Sequence, residues 1–319
     1  MPPIEIKAAS PNDLRKVLRL TLATRHQPAT DLERHVTTFI RFAREMALDL
    51  SRNWVCMDGD HMVAACSCIE TPGRTAMLLL PNLGASKTRT RTISDMVRHV
   101  IGRESTRDIR LMQCLIQPDD VEARTTLEHV GFRHVATLTY MEWKDAGRVS
   151  PQEAMLPAGI QESSMEWITY DDAHHGEFAR LIEDTYHDTL DCPDLCGLRD
   201  INDVIAGHKA AGRFLPHRWL LLRYRGRPVG CILLGENTLR PALELVYMGI
   251  HPDWRRTGVG RFLLSHGLSM ARREGFTAVT LAVDDTNKPA LALYKSAGFR
   301  ETVRRGAMIY DFDSSFDTP

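Results

Sequence analysis

Leu245-Val246-Tyr247-Met248-Gly249-Ile250-His251-Pro252-Asp253-Trp254-Arg255-Arg256-Thr257-Gly258-Val259-Gly260-Arg261 is the stretch that decides the fold. An apolar run with strand character meets a Pro-marked turn, then a basic loop with two glycines, then a helix. Val259, Phe262, Leu263, His266 and Met270 recur at the 3.6-residue period of a core-facing stripe, and Gly275 ends the run as a C′ residue. The helix therefore opens at the glycines. Its first amides lack intrahelical acceptors and carry the positive end of the helix dipole. Gly258 and Gly260 leave the main chain open to close approach. Arg255, Arg256 and Arg261 add charge that opposes the dipole, a penalty that a docked anion reverses. The segment reads as a diphosphate site. It has neither the GxxxxGK[ST] spacing of a nucleotide P-loop nor the GxGxxG spacing of a dinucleotide fold.

Outward from this segment the second half alternates strands and helices. A strand near Trp167–Tyr170 precedes helices at Gly176–Leu190 and Ile201–Ala211. Strands Trp219–Tyr224 and Val229–Leu234 flank the hairpin signal Arg225-Gly226-Arg227-Pro228. Strand Leu243–Ile250, helix Val259–Glu274, strand Ala278–Val283, helix Lys288–Ala297 and a closing strand near Ala307–Phe312 follow. The first half runs in the same order, from Ile4–Ala8 to a strand at Val135–Trp143, and Leu127-Glu128-His129-Val130-Gly131-Phe132-Arg133 matches Tyr294-Lys295-Ser296-Ala297-Gly298-Phe299-Arg300. The pattern predicts a tandem duplication. Pro and Gly punctuation places the linker at residues 146–158, between domains at 1–145 and 159–319.

At the loop Arg255-Arg256-Thr257-Gly258-Val259-Gly260 the chain resembles the GNAT acetyltransferase superfamily, whose signature at this strand-to-helix junction is [R/Q]-x-x-G-x-[G/A]. A second signature of that superfamily is Asn287-Lys288-Pro289-Ala290-Leu291-Ala292-Leu293-Tyr294, with Pro289 fitting the first helical turn. The resemblance implies an α/β (α+β) protein of two GNAT-like domains, each a mixed, mostly antiparallel sheet flanked by helices. It further implies acetyl-CoA as co-substrate, held by residues 255–261. Met248, Gly249 and Ile250 would pair with the pantetheine arm on a splayed strand, and Asn287 would hydrogen-bond the same arm. Tyr294 falls at the position of a general acid, which suits a thiolate leaving group; the alternative is a core aromatic. Glu244, fourteen residues before Gly258, matches a catalytic glutamate of several members. It stands equally as a solvated strand-start residue, and some members deprotonate the amine through water or backbone carbonyls.

The first half lacks these features. Its corresponding loop, Pro81-Asn82-Leu83-Gly84-Ala85-Ser86-Lys87-Thr88-Arg89-Thr90-Arg91, has one glycine, and Leu127 and Asp120 stand where Tyr294 and Asn287 do. A non-catalytic domain is expected, with Lys87, Arg89 and Arg91 in a solvated basic loop. The arrangement, degenerate half first, is similar to that of the mycothiol synthases, a likeness of architecture and not of substrate. The segment from Tyr186 to Asp200 corresponds to the family's acceptor cover, where Asp188, Asp191 and Asp194 could hold a cationic amine. His187, Cys192 and Cys196 lack a fourth ligand, so no metal is expected, and His174-His175 reads as a solvated pair.

Composition sets the remaining bounds. Forty basic against 41 acidic residues give a net charge of −1, which offers no global field for nucleic acid or an anionic membrane, and apolar runs are too short to span a bilayer. The N-terminus lacks the features of a signal peptide, and seven cysteines without framework spacing fit reduced thiols, Cys114 and Cys231 in the core; the expectation is a cytoplasmic protein. No feature sets an oligomeric state. The reading is an acyl-CoA-dependent transfer of acetyl to a small-molecule or peptide amine by direct attack in a ternary complex. The alternative is a non-catalytic acyl-CoA sensor.

Overall fold

Alternating apolar residues and turn-forming pairs make the strands, and 3.6-residue stripes make the helices that cover them. The structure is a computed structural model that describes residues 5–23, 28–81, 87–145 and 160–313. Its elements are β1 (Glu5–Ala8), α1 (Leu14–Leu22), α2 (Ala29–Glu45), β2 (Asn53–Asp58), β3 (His61–Thr71), β4 (Thr75–Leu79), α3 (Lys87–Glu104), β5 (Leu111–Ile116), α4 (Val121–Glu128) and β6 (Arg133–Lys144). There follow β7 (Met165–Thr169), α5 (His175–Thr185), α6 (Ile201–Ala210), β8 (Trp219–Tyr224), β9 (Arg227–Asn237), β10 (Ala242–Ile250), α7 (Val259–Arg273), β11 (Ala278–Asp284), α8 (Lys288–Ser296) and β12 (Arg300–Asp311).

Two compact units emerge, residues 1–136 with 305–319, and residues 137–304. In the first, β1 to β4 pair antiparallel in order, β4 pairs β5 in parallel, and Gly306–Asp311 closes the sheet antiparallel to β5. In the second, β7, β8, β9 and β10 pair antiparallel in order, β10 pairs β11 in parallel, and Leu138–Lys144 closes the sheet antiparallel to β11. Each sheet is mixed and mostly antiparallel, with the same strand order.

The unit boundaries differ from the partition at 1–145 and 159–319. Each long closing strand passes from one unit into the other, so the sheet of residues 137–304 ends on a strand from the first half of the chain, and the other sheet ends on the C-terminal strand. Met141 and Trp143 enter the core around α7 and α8, and Met308 and Phe312 enter the core around α3 and α4. Alternation along a strand tells which side chains point inward but not which core receives them. The linker expected at 146–158 lies outside the described residues, as do residues 82–86 of the first-half loop.

Three local expectations change. Lys87, Arg89 and Arg91 belong to α3, not to a loop. The helix read as Gly176–Leu190 stops at Thr185, since the following turn carries Asp188 at φ 50°. His174 and His175 are not a solvated pair: His174 bonds Asp171, while His175 bridges the Tyr170 hydroxyl (2.6 Å) and Asn202 (2.8 Å). Cys114 and Cys231 are buried free thiols. Among the described residues no helix is long and apolar enough to cross a membrane.

Candidate active site

The unit of residues 137–304 places the signature segments where two neighbouring strands part. β10 pairs with β11 only from Ala242 to Glu244, against Ala278 to Thr280. Beyond that point β10 continues along β9 to Ile250, while β11 stays on residues 138–144 to Asp284. A bulge at Val246, between Leu245 and Tyr247, accompanies the split. It changes the parity of β10. Leu243 and Leu245 pack toward α7 and α8, yet so do Met248 and Ile250, while Tyr247 packs toward α5 and α6. Met248–Ile250 thus run on beyond the last pair that β10 makes with β11.

Past Ile250 the chain turns through Pro252–Trp254, held by Thr257 Oγ1 donating to the Trp254 carbonyl at 2.6 Å. Gly258 is the N-cap of α7 at φ 99°, a left-handed conformation that favours glycine, and no side chain among the described residues caps the amides that follow. A Cβ at Gly260 would meet only ordinary contacts, 3.5 Å from Leu293 and 3.7 Å from Ile250. The fold alone therefore does not require glycine at 260. Arg256 and Arg261 are exposed beside this helix end. Arg255 is not directed there. Its guanidinium donates to the carbonyls of Thr185 (2.8 Å), Asp188 (3.2 Å) and Ile250 (3.4 Å), fastening the end of β10 to the C-terminus of α5.

The second signature forms α8. Asn287 is its N-cap, with Oδ1 accepting from the Ala290 amide at 3.2 Å, the same bond that Asp120 makes to Ala123 at the start of α4. The position is thus a helix cap in both units. Tyr294 is buried among Leu291, Val259 and Phe299, where Leu127 sits in the other unit. Burial, and then the Asp191 carboxylate, raise its phenol well above the ordinary value, so it keeps its proton. Asp191 accepts from the Asp284 amide at 2.9 Å and Asp284 from the Cys192 amide at 3.1 Å, which ties the 186–200 segment to the end of β11. Of the three aspartates expected to meet an amine, Asp191 is engaged in this lock, Asp188 contributes a carbonyl to Arg255, and Asp194 is exposed. Among the described residues, His187, Cys192 and Cys196 form no metal-holding group.

Glu244 stands on the last rung shared by β10 and β11, opposite Gly235 of β9, which lies under Gly212. Burial there raises its carboxyl to about 7, against a smaller opposing influence from Arg240. Beyond it, Tyr247 shares a hydrogen bond with Thr185 and lies tilted against the ring of His208 of α6, with ring centres 5.2 Å apart. Periodicity missed Tyr247 and His208, because the bulge turns Tyr247 to this face and α6 alone shows no reason to aim His208 at it. The hydroxyl and imidazole were visible only as ordinary residues of a strand and a helix.

This geometry coincides with the matched family region. Residues 170–299 match the Acetyltransferase (GNAT) family. The chain is 41% identical over 193 residues to a mycothiol acetyltransferase of Clavibacter sepedonicus, covering 57% of each chain. It is 34% identical over 95 residues to the mycothiol acetyltransferase of Thermobifida fusca (30% of this chain, 27% of the relative), and 37% identical over 93 residues to a peptidyl-lysine N-acetyltransferase of Escherichia coli (28% and 56%). The chain thus spans between about a quarter and rather more than half of these relatives. A solved GCN5-related N-acetyltransferase from Sphaerobacter thermophilus shares the fold across both units, with TM-score 0.65, 17% identity and 97% and 96% coverage. So does a tandem GNAT protein from the clavulanic acid biosynthesis pathway, with TM-score 0.53, 16% identity and 97% and 99% coverage.

Proposed function

We propose that the GNAT acetyltransferase domain carried by residues 170–299 moves an acetyl group from acetyl-CoA to an amine, by direct attack of the amine in a ternary complex. The observation that carries this reading is the uncapped, glycine-opened start of α7 beside the split between β10 and β11. Acetyl-CoA supplies the thioester. The amides of residues 258–261 and the side chains of Arg256 and Arg261 would hold its diphosphate. The main chain of Met248, Gly249 and Ile250 would hold its arm, while Asn287 and Arg255 keep the helix and strand ends in position.

Glu244 serves as general base. Most simple amines are ammonium at neutral pH, and a carboxyl near 7 is ionised in part there and still basic enough to take a proton. Tyr294, protonated throughout the neutral range, serves as the acid that gives a proton to the departing sulfur. The unit of residues 1–136 and 305–319 has Leu127 at this position and serves as non-catalytic support. The acceptor class is a small-molecule or peptide amine.

The test is thiol release from acetyl-CoA across an amine panel, with acetyl-CoA binding measured in parallel. Tyr294→Phe keeps the ring that fills the core and is expected to retain acetyl-CoA binding while turnover falls about 100-fold or more. Unchanged turnover would remove Tyr294 from the mechanism. Absence of acetyl-CoA binding by the wild type would overturn the whole assignment.

A further inference from the structure

The face of β10 that carries Glu244 and Tyr247 is covered by α5, α6 and the segment joining them. Arg199 ends that segment. Among the described residues of 137–304, five arginines are sheltered from solvent: Arg199, Arg218, Arg223, Arg255 and Arg272. Four have partners. Arg218 bonds Glu236 and Glu274, Arg223 bonds Glu166 and Glu177, Arg272 pairs with Asp145, and Arg255 takes three carbonyls. Arg199 has no ion pair or hydrogen bond among the described residues. Tyr186 and Asp203 lie close enough to favour its charge without pairing to it, and burial lowers its pKa. A guanidinium withdrawn from water with no anion bonded to it is costly, and a bound anion lowers the cost.

His208 gives an independent sign of a missing partner on the same face. Its Nε2 is buried with no hydrogen-bond partner among the described residues, while its ring lies tilted against that of Tyr247. Burial, and then the charge of Arg199, hold the imidazole down at about 4, so it is neutral and Arg199 is its electrostatic neighbour. Next to it, the Arg213 and Glu236 main chains exchange hydrogen bonds at 2.9 and 3.0 Å, which brings Gly212 over Gly235, the partner of Glu244 in the sheet. One face therefore carries an unpaired guanidinium, an unpaired imidazole nitrogen, a phenol and the carboxyl of Glu244.

We propose that the acceptor is an amine that also bears a carboxylate, the carboxylate held by Arg199 and hydrogen-bonded by His208, with the amine presented to Glu244. A planar guanidinium suits a carboxylate's two oxygens, and a single unpaired cation matches a single negative charge. This proposal rests on the acetyl-transfer reading and narrows its acceptor. A free amino acid and the C-terminal residue of a short peptide share the chemistry, and the assay separates them.

The experiment compares amino acids, their carboxamides, the corresponding decarboxylated amines and dipeptides as acceptors for the full chain. Thermal stabilisation by each compound is read in the presence of CoA, which cannot react. Acids are expected to exceed their amides in kcat/KM by about 100-fold, and to raise the melting temperature where the amides do not. Arg199→Gln is expected to raise KM for the acids until that preference vanishes, with Arg199→Lys restoring part of it, while both variants still bind acetyl-CoA and so report a folded protein. Amides or decarboxylated amines used as well as the acids would overturn the proposal, as would an acid preference that survives Arg199→Gln. Binding of acetyl-CoA by a wild type that no carboxylate stabilises would sink this inference and leave the acetyl-transfer reading standing.

Discussion

The guanidinium of Arg255 donates to the Thr185 carbonyl at 2.8 Å, across 70 positions of chain, and so joins the end of the splayed strand to the end of α5. An arginine that looks like a phosphate ligand in sequence is a strut in the fold. Arg255→Ala is expected to lower stability by about 1–3 kcal/mol, the cost of charged hydrogen bonds left unmade. Arg256→Ala and Arg261→Ala, at exposed positions, should leave stability within about 0.5 kcal/mol and weaken acetyl-CoA binding. Urea unfolding with calorimetry separates the two classes; equal stability of all three variants would contradict the strut.

Glu244 sets a pH dependence. Its folded value, about 7, lies above the ordinary 4.5, so the folded state holds the proton more tightly than the unfolded chain. Its contribution to stability therefore falls as pH rises from about 4.5 to about 7, and Glu244→Gln is expected to flatten that fall. Activity runs the other way. The carboxylate is the active form, so kcat/KM should climb with pH through about 7, and Glu244→Gln should lose that limb with about 100-fold or more of the rate. A mutant that keeps the limb would assign the base elsewhere.

Gly260 offers a separation of folding from binding. Nothing among the described residues crowds its missing Cβ closer than 3.5 Å, and alanine favours a helix over glycine. Gly260→Ala is expected to gain up to about 1 kcal/mol of stability while acetyl-CoA binding weakens. Melting temperature and calorimetry read both. Tighter binding in this variant would mean that the main chain at 260 does not face the ligand.

The closing strands predict how fragments behave. A fragment of residues 159–319 lacks Met141 and Trp143, which fill the core around α7 and α8. It should show no cooperative unfolding, since losing core side chains of this size costs about 2–5 kcal/mol each. Beginning the fragment at residue 133 restores the strand and should restore a transition. Circular dichroism during heating checks both; a cooperative 159–319 fragment would show that the strand is dispensable.

Much of this protein was legible before folding. A core stripe at helical spacing placed α7, the hairpin signal at residues 225–228 placed β8 and β9, and the two glycines marked where α7 begins, because these are local properties of a chain with two soft dihedrals per residue. Asn287 was legible as the residue before a helix, but its cap bond to Ala290 shows a role it shares with Asp120 in the other unit.

Tertiary structure alone decided the rest. The bulge at Val246 turns Tyr247 to the opposite face from the one that regular alternation gives it, and only the ladder between β9 and β10 reveals the shift. Which core receives Trp143 depends on the partner its strand finds, and whether Arg255 meets a phosphate or a carbonyl depends on where α5 ends. The same holds for Arg199 and His208, whose missing partners become visible only when the chain has counted out all the others. Periodicity records which way a side chain points along its own element; what lies there is set by contacts between residues far apart in sequence.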